Sequence, residues 1–431
     1  MEEANYNKIT DTKIKLLKYG IKFEPVDLFN KFYNIDKYKT KDKDFRLTNK
    51  DFTVYNSSDN IIKIPSEILL SDEKRKSITK LRYNSNSPIS INIKNNDIWL
   101  EYDNKKIDIK VELVEKNPIL FEKIPTDVLA NNSTIGDYVS LIGIDRVAIL
   151  FFEGCYNWLI GKPCKFCNLP QADEVGRFKP NLNYLKGYGF DVKKWWDFYK
   201  KDYLIGLKYS LKRILEQNNL NHMHIFFMSG NLPTNTDMWD IAEEVISYLA
   251  NEVDFCQYDS CLNISPHDKL DRLYDLKKTG IRQIQYNLEL INTESFADIC
   301  PGKMRFEEFL SKLKEAVQIY GRGNVRSNFV LGLNDIDATI KFAKEIAYDG
   351  IVFDYTVFQP KRNTPLCNKN APDFDNIMYF SEELANIYVE NDFKPIFCSL
   401  SSRSCIINEL YEDKIGQVRR NKWKKRHKKI I

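Results

Sequence analysis

Two textures of apolar and polar positions divide the chain. From Pro88 the period is two: Ile89, Ile91 and Ile93 alternate with polar residues, Asn95-Asn96-Asp97 turns, and Ile98, Leu100 and Tyr102 alternate again. After Asp103-Asn104, Ile107, Ile109, Val111 and Leu113 continue the pattern. Alternation of this kind marks half-buried strands, and its spacing predicts a three-stranded meander. A meander must cover its apolar face, so a small α+β N-terminal domain is expected, ending near Asn131-Asn132-Ser133-Thr134. Upstream, helical periodicity covers 13–19 and 26–32, and a Lys/Asp-rich stretch through Lys50 gives little signal.

Beyond residue 134 short apolar runs alternate with amphipathic stretches. The runs predict strands at 147–152, 223–228, 255–263, 283–290, 324–331, 351–358 and 395–400. Helical periodicity fills 195–217, 238–250, 269–278, 306–320, 338–348 and 374–390. This is the pattern of βα units around a parallel sheet, and seven strands suffice for a barrel or part of one. Gly280, Gly321 and Gly350 each fall just before a strand, where a glycine closes the preceding helix. In such an architecture the chemistry gathers where the loops after the strands converge.

Composition narrows the function. The longest uninterrupted apolar run, 147–152, is far short of the roughly 20 residues that cross a bilayer, and the chain opens without the apolar stretch of a signal peptide. A soluble cytoplasmic protein with no membrane contact is expected. The 64 Lys and Arg against 60 Asp and Glu give +4, yet eight of those basic residues lie within 419–429 (RRNKWKKRHKK), and setting them aside leaves −4. A mildly acidic body confines polyanion contact to the tail, where Trp423 offers a stacking face; a disordered solubilising end is the plainer reading. Nine cysteines, an odd number, point to metal binding or catalysis by any tight cluster rather than to a disulfide framework.

Directly after 147–152 comes Glu153-Gly154-Cys155, then Cys164-Lys165-Phe166-Cys167, a C-x8-C-x2-C loop too polar to be core. Four thiolates would close a tetrahedral zinc site or fill every iron of a cubane; three leave one metal position open. A structural zinc loop with a distant fourth ligand is the alternative. A cysteine loop after strand one of an α/β barrel, with an aromatic immediately before its last cysteine, resembles the radical S-adenosylmethionine (SAM) superfamily. The usual spacing there is C-x3-C-x2-C, and this loop carries five extra residues.

Later strand ends extend the resemblance. Met228-Ser229-Gly230-Asn231 is similar to the family's Gly-Gly-Glu-like turn that receives the SAM amino group, with Asn231 replacing the acid; taken alone it is an ordinary loop. Asn263 and Ser265 stand after the third strand, where a helix cap for the segment near His267 is the simpler reading. Asn287-Leu288-Glu289 resembles the Asn-Leu-acid sequence that hydrogen-bonds the SAM ribose in biotin synthase-like members. Two apart on a strand, Asn287 and Glu289 are expected to point the same way, and a carboxylate inside a barrel mouth needs partners. The stretch from Arg326 to Asp335 is similar to the G-x-I-x-G-x-x-E element, with Gly332 and Asp335 matching and Asn328 departing. Arg326 is a candidate for the SAM carboxylate or for a rim salt bridge. Phe358, in the stretch after strand six, stands where the family's backbone approaches adenine.

The resemblance, spanning about 144–405, implies a fold of class α/β: a partial (β/α)6-type TIM-like barrel at 135–405, between the α+β domain at 1–134 and a helix with basic tail at 406–431. It implies that Cys155, Cys164 and Cys167 hold a [4Fe–4S] cluster, and that Phe166, Ser229, Gly230, Asn231, Asn263, Ser265, Asn287, Glu289, Arg326, Gly332 and Phe358 surround S-adenosyl-L-methionine. A 5′-deoxyadenosyl radical would then abstract hydrogen from a small biosynthetic molecule, with flavodoxin or ferredoxin as electron donor. Modification of a peptide or tRNA is the variant reading, and a zinc-stabilised binding protein is the non-enzymatic one. A second cluster from Cys367, Cys398 and Cys405 lacks any C-x2-C pair, so buried or incidental thiols are expected there; His222 and His224 read as core or rim residues.

Overall fold

In the computed structural model, which describes residues 7–23, 52–56, 61–65, 67–94, 97–114, 117–169, 182–217, 223–361 and 364–427, the N-terminal part is α+β. Helix α1 (Lys8–Tyr19) begins at Asn7, whose side chain accepts from the Ile9 N–H. Its Ile9 and Leu16 share a small core with two sheets. One sheet orders β1 (Lys22–Phe23), β6 (Ile89–Lys94), β7 (Asp97–Tyr102) and β8 (Lys105–Lys106); the other sets β4 (Glu67–Ser71) between β5 (Lys76–Lys80) and β9 (Lys110–Leu113). The strands β2 (Phe52–Asn56) and β3 (Ile61–Pro65) pair separately.

The meander is therefore corrected. Strands β6 and β7 form the expected hairpin, but β9 leaves it to pair with β4, setting Val111 opposite Leu70. Strand β4, unread in the sequence, offers Ile68 and Leu70 as an apolar edge, and Val111 gains more burial there than beside β7. The helix expected at 26–32 lies outside the described residues.

The apolar runs after residue 139 form one sheet. Its order is β10 (Ser140–Ile142), β11 (Arg146–Leu150), β12 (His224–Met228), β13 (Asp259–Asn263), β14 (Gln283–Gln285), β15 (Val325–Leu331) and β16 (Ile351–Val357). Strand β10 is antiparallel to β11; all later neighbours are parallel and in chain order. Right-handed crossovers that always step the same way put every helix on one face, and the sheet curls around the other. Alternation assigns the faces: Val147, Ile149, Ile225, Phe227, Leu262 and Ile284 join the helices in the large core. Between them Arg146, His224, Phe226, Cys261, Asn263, Arg326, Asn328, Asp354 and Thr356 turn to the concave side. The partial (β/α)6 barrel is thus observed.

No seventh parallel strand forms at 395–400. Those residues belong to an irregular segment, 394–406, that spans the barrel's open side. Ile144 N–H donates to Leu400 O (3.2 Å) at the first hairpin, and Val357 N–H donates to Ser404 O (2.9 Å) at the last strand. Strand β5 is tied to the same segment through Ile78 N–H to Ser399 O (3.0 Å) and Lys80 N–H to Arg403 O (2.9 Å). Phe397 sits edge-on to His224 and Phe226 on the floor, so its apolar side chain serves as a plug rather than a strand face. Lys13 of α1 is fully buried, donating to Ser402 O (2.6 Å) and to Glu409 (2.8 Å) of the C-terminal helix Ile407–His427. That helix carries the basic run as far as His427, where the sequence suggested a disordered end.

Candidate active site at the barrel mouth

The chain leaving β11 turns over the mouth through Phe151-Phe152-Glu153-Gly154 to Cys155. Its path is fixed against the neighbouring strand end: Phe151 N–H donates to Met228 O (3.0 Å), Gly230 N–H to Phe152 O (3.3 Å) and Tyr156 N–H to Asn231 O (2.8 Å). Gly230 is required, since a Cβ there would lie 1.5 Å from Gly154 O. The 229–231 turn is therefore the surface on which the cysteine loop rests. Asn231 Oδ1 accepts from Ser265 Oγ (3.1 Å), joining two further predicted residues, while Ser229 Oγ donates to Gly230 O (2.7 Å). Asn263 ends β13 half-buried on the concave face.

The three cysteine side chains are half-buried and near enough to feel one another's charge. Burial raises the Cys155 thiol above its usual pKa, opposed by the Asn231 and Asn157 backbone N–H groups that point at its sulfur. A hydrogen bond with Cys300, then burial, holds Cys164 well above the usual value. Burial pushes Cys167 up to about 11, with the charges of Cys164 and Cys155 adding to it. Such thiols stay protonated until a cation takes the place of the proton. Phe166 packs against the large core between them. Among the described residues, the group of His, Cys, Asp and Glu side chains whose ligand atoms all lie within 4.8 Å of one another is Asp145, His224 and Cys398. The cysteine trio is less closely gathered, whereas ligands of one tetrahedral zinc stand about 3.8 Å apart given Zn–S near 2.3 Å.

The other side of the mouth holds residues unread in the sequence. Cys300-Pro301-Gly302-Lys303 folds against the cysteine loop: Lys165 N–H donates to Ile299 O (2.9 Å), and Asn157 Nδ2 donates to Gly302 O (3.2 Å). Lys303 Nζ donates to Asn287 O (2.5 Å) and pairs with Glu289 (3.1 Å). Burial opposes its charge, but Glu289 and the thiols Cys164 and Cys300 outweigh burial and raise its pKa. Glu289 thus has the partner its position demanded, and that partner is a lysine. Strand β14 ends at Gln285, and Glu289 has φ 70°, so it and Asn287 do not share a strand face as expected. From there Asn287 Oδ1 accepts from Asn328 N–H (3.2 Å), and Asn328 Oδ1 accepts from Thr356 Oγ1 (3.2 Å). Gly332, at φ 100°, lets Pro372 approach, and Phe358 N–H donates to Leu331 O (2.9 Å).

Arg326 departs from the sequence reading. It is the second residue of β15, at the end away from the mouth, and its guanidinium grips Asp354 through Nε and Nη2, both at 2.7 Å, and Lys394 O at 3.0 Å. A fully buried arginine so committed has no fork left for a ligand. Asp335 caps the helix Ile336–Tyr348 by accepting from Ala338 N–H. The remaining cysteines are dispersed. Cys398 lies on the floor against Asp145 (2.6 Å), Cys405 is buried beside Ser402, and Cys367 is exposed next to Leu366, which donates to Lys165 O. His224 is buried with Cys398, and His222 lies outside the described residues.

No protein-family model matches the chain. Among curated proteins it is similar to bacteriochlorophyllide c C-7(1)-hydroxylase of Chlorobaculum limnaeum, 26% identical over 132 residues, which cover 30% of this chain and 33% of that protein. The chain thus spans about a third of the length of the curated relative it matches. Similar solved structures include methylornithine synthase (TM-score 0.39, 15% identity, 59% of this chain and 64% of that one). A maturase of the [FeFe]-hydrogenase follows (0.35, 17%, 57% and 50%). Coproporphyrinogen III oxidase from Escherichia coli, described as a radical SAM enzyme, is a third (0.34, 12%, 57% and 52%). The chain is a partial (β/α)6 barrel. Among the described residues no helix is long and apolar enough to cross a membrane.

Proposed function

We propose that this protein is a radical SAM enzyme acting on a small molecule in the cytoplasm, with Cys155, Cys164 and Cys167 as ligands of a [4Fe–4S] cluster. The observation that carries the reading is the grouping of three half-buried thiols on the loop after β11, wider than a single ion gathers them and backed by Gly230. When bound, the cluster would supply the electron, drawn from a flavodoxin- or ferredoxin-like donor, that splits SAM into methionine and a 5′-deoxyadenosyl radical. The chain's own part is positioning. Asn231, oriented by Ser265, offers a polar side chain beside Cys155 for the SAM amino group. Asn287 and Glu289, held by Lys303, would take the ribose, and the backbone at Gly332 and Phe358 would take the adenine. Lys303 keeps a positive charge next to Cys164, favouring its thiolate. Phe166, Ser229 and Asn263 complete the wall, and Arg326 is withdrawn from the set. The N-terminal α+β part and the segment 394–406 close the barrel against water, which a primary radical requires.

The relative's activity on a bacteriochlorophyllide concerns a protein matched over a third of its length, and the substrate here is left as a small molecule. One observation favours a second reading. Cys300 touches Cys164, so a distant fourth thiol is at hand for zinc. Anaerobic reconstitution with iron and sulfide separates the two. The enzyme turns brown, absorbs near the visible iron–sulfur band and releases 5′-deoxyadenosine when reduced with SAM. A colourless protein holding one zinc, inert to dithionite, would refute it.

A further inference from the structure

We infer that the concave face of the barrel carries an oxyanion site in which Arg146, Lys80 and Arg403 receive a carboxylate or phosphate; that this group belongs to the substrate rests on the function proposed above. Arg146 opens β11 and by alternation points inward. It is 8% exposed, its guanidinium lies 4.1 Å from the Phe397 ring centre, and Nε has no hydrogen-bond partner. Among the described residues no side-chain N–H of Arg146 donates a hydrogen bond. A cation so far out of water without an acceptor is costly, and the aromatic contact recovers only part of the loss.

Its neighbours add charge of the same sign. Arg403, on the segment that closes the barrel, reaches Glu67 through Nη1 and accepts from Lys80 N–H at its carbonyl (2.9 Å). Glu67 stands opposite Lys80 in the β4–β5 ladder and also accepts from Gly143 N–H (2.9 Å), so one carboxylate is divided among several donors. Burial first, then Lys361 and Arg403, push Lys80 down to about 7; burial and Arg403 push Arg146 down to about 9. Asp145, the other carboxylate near Arg146, is engaged by Cys398 and Ser401. Glu67 is thus taken by Arg403 and Asp145 by two neutral donors, while Lys80 and Arg146 have no carboxylate of their own within hydrogen-bond distance among the described residues. An entering oxyanion would take the open Arg146 guanidinium, with Arg403 next to it and Lys80 beyond Arg403 adding positive charge.

The test titrates the full-length reconstituted protein with inorganic phosphate and with succinate, against chloride at equal ionic strength, reading the unfolding midpoint and calorimetric binding. One or both oxyanions should raise the midpoint progressively, and the ion that does so names the group. Arg146→Gln and Lys80→Gln should each weaken binding at least about tenfold, while Lys278→Gln, an exposed lysine paired with Asp275, should not. A second measurement needs no ligand: Arg146→Met removes an uncompensated buried charge and should raise the midpoint in chloride while abolishing the oxyanion increment. No increment in the wild type, an increment kept by both Gln variants, or a lower midpoint for Arg146→Met in chloride would overturn the inference. Binding is read without SAM, so a protein that binds oxyanions but never releases 5′-deoxyadenosine would sink the proposed function and leave the site.

Discussion

The two ends of the barrel treat their polar groups differently. At the mouth, polar side chains are held by protein partners: Asn231 by Ser265, Glu289 by Lys303, Asn287 by the Asn328 N–H, Asn328 by Thr356. At the floor, Arg326 and Asp354 form a closed pair with a matching carbonyl, yet Arg146, a few strands away, lies against the Phe397 ring with no acceptor for its Nε among the described residues. The mouth is organised before any ligand arrives. The floor has a built half and a half whose charge is uncompensated. Preorganised polar groups suit the reacting end, where misplacement by an ångström is expensive, whereas an unpaired charge suits recognition, where the ligand completes the balance.

Four experiments sharpen or break that contrast. Cys164→Ala should have the largest effect: loss of bound iron and of at least about a thousandfold in 5′-deoxyadenosine release, about 4 kcal/mol of transition-state free energy, read by metal analysis and product chromatography. Retained release would end the mouth's role. Arg326→Ala should cost about 3–5 kcal/mol in denaturant unfolding, because Asp354 is left buried without its partner; iron content per folded protein should be unchanged, since the pair lies at the far end. Gly230→Ala should lose about 1–3 kcal/mol and lower iron occupancy, because the added methyl meets Gly154 O and displaces the cysteine loop.

The smallest effect concerns Lys80. Its folded value of about 7 lies below the model-peptide value of 10.5, so between those pH values the unfolded chain binds the extra proton. Stability should therefore rise with pH through that window, and the penalty should be complete below it. Lys361, Arg403 and Glu67 face the same ammonium. Lys80→Met should flatten the wild-type slope in a pH series of unfolding midpoints; an unchanged slope would remove Lys80 from the uncompensated half.

What the sequence disclosed follows the range of its signals. Strands β11, β12, β15 and β16 were legible within two residues because both of their faces are covered and the apolar runs are continuous. The cysteine loop could be singled out because its three thiols are close in sequence. Residues 395–400 misled, since an apolar plug and a buried strand have the same composition over six positions. Strand β14 was overextended for a similar reason: Tyr286-Asn287-Leu288 keeps the alternation after the ladder has ended. Arg326 was assigned to a ligand because its partner Asp354 sits on another strand, a pairing set by sheet register alone. Lys303, Cys300 and Arg146 gave no local sign at all. Their significance comes from neighbours 14 to 251 positions distant, such as Glu289 for Lys303 and Phe397 for Arg146.

The segment 394–406 follows every strand of the sheet in the chain, yet it supplies the wall between the first and the last of them. During synthesis the ribosome therefore releases the entire curved sheet before the piece that seals it. Until then the inner surface is open to solvent along one side. The order of emergence thus makes the late arrival of Phe397 and Arg403 the step that seals the curved sheet.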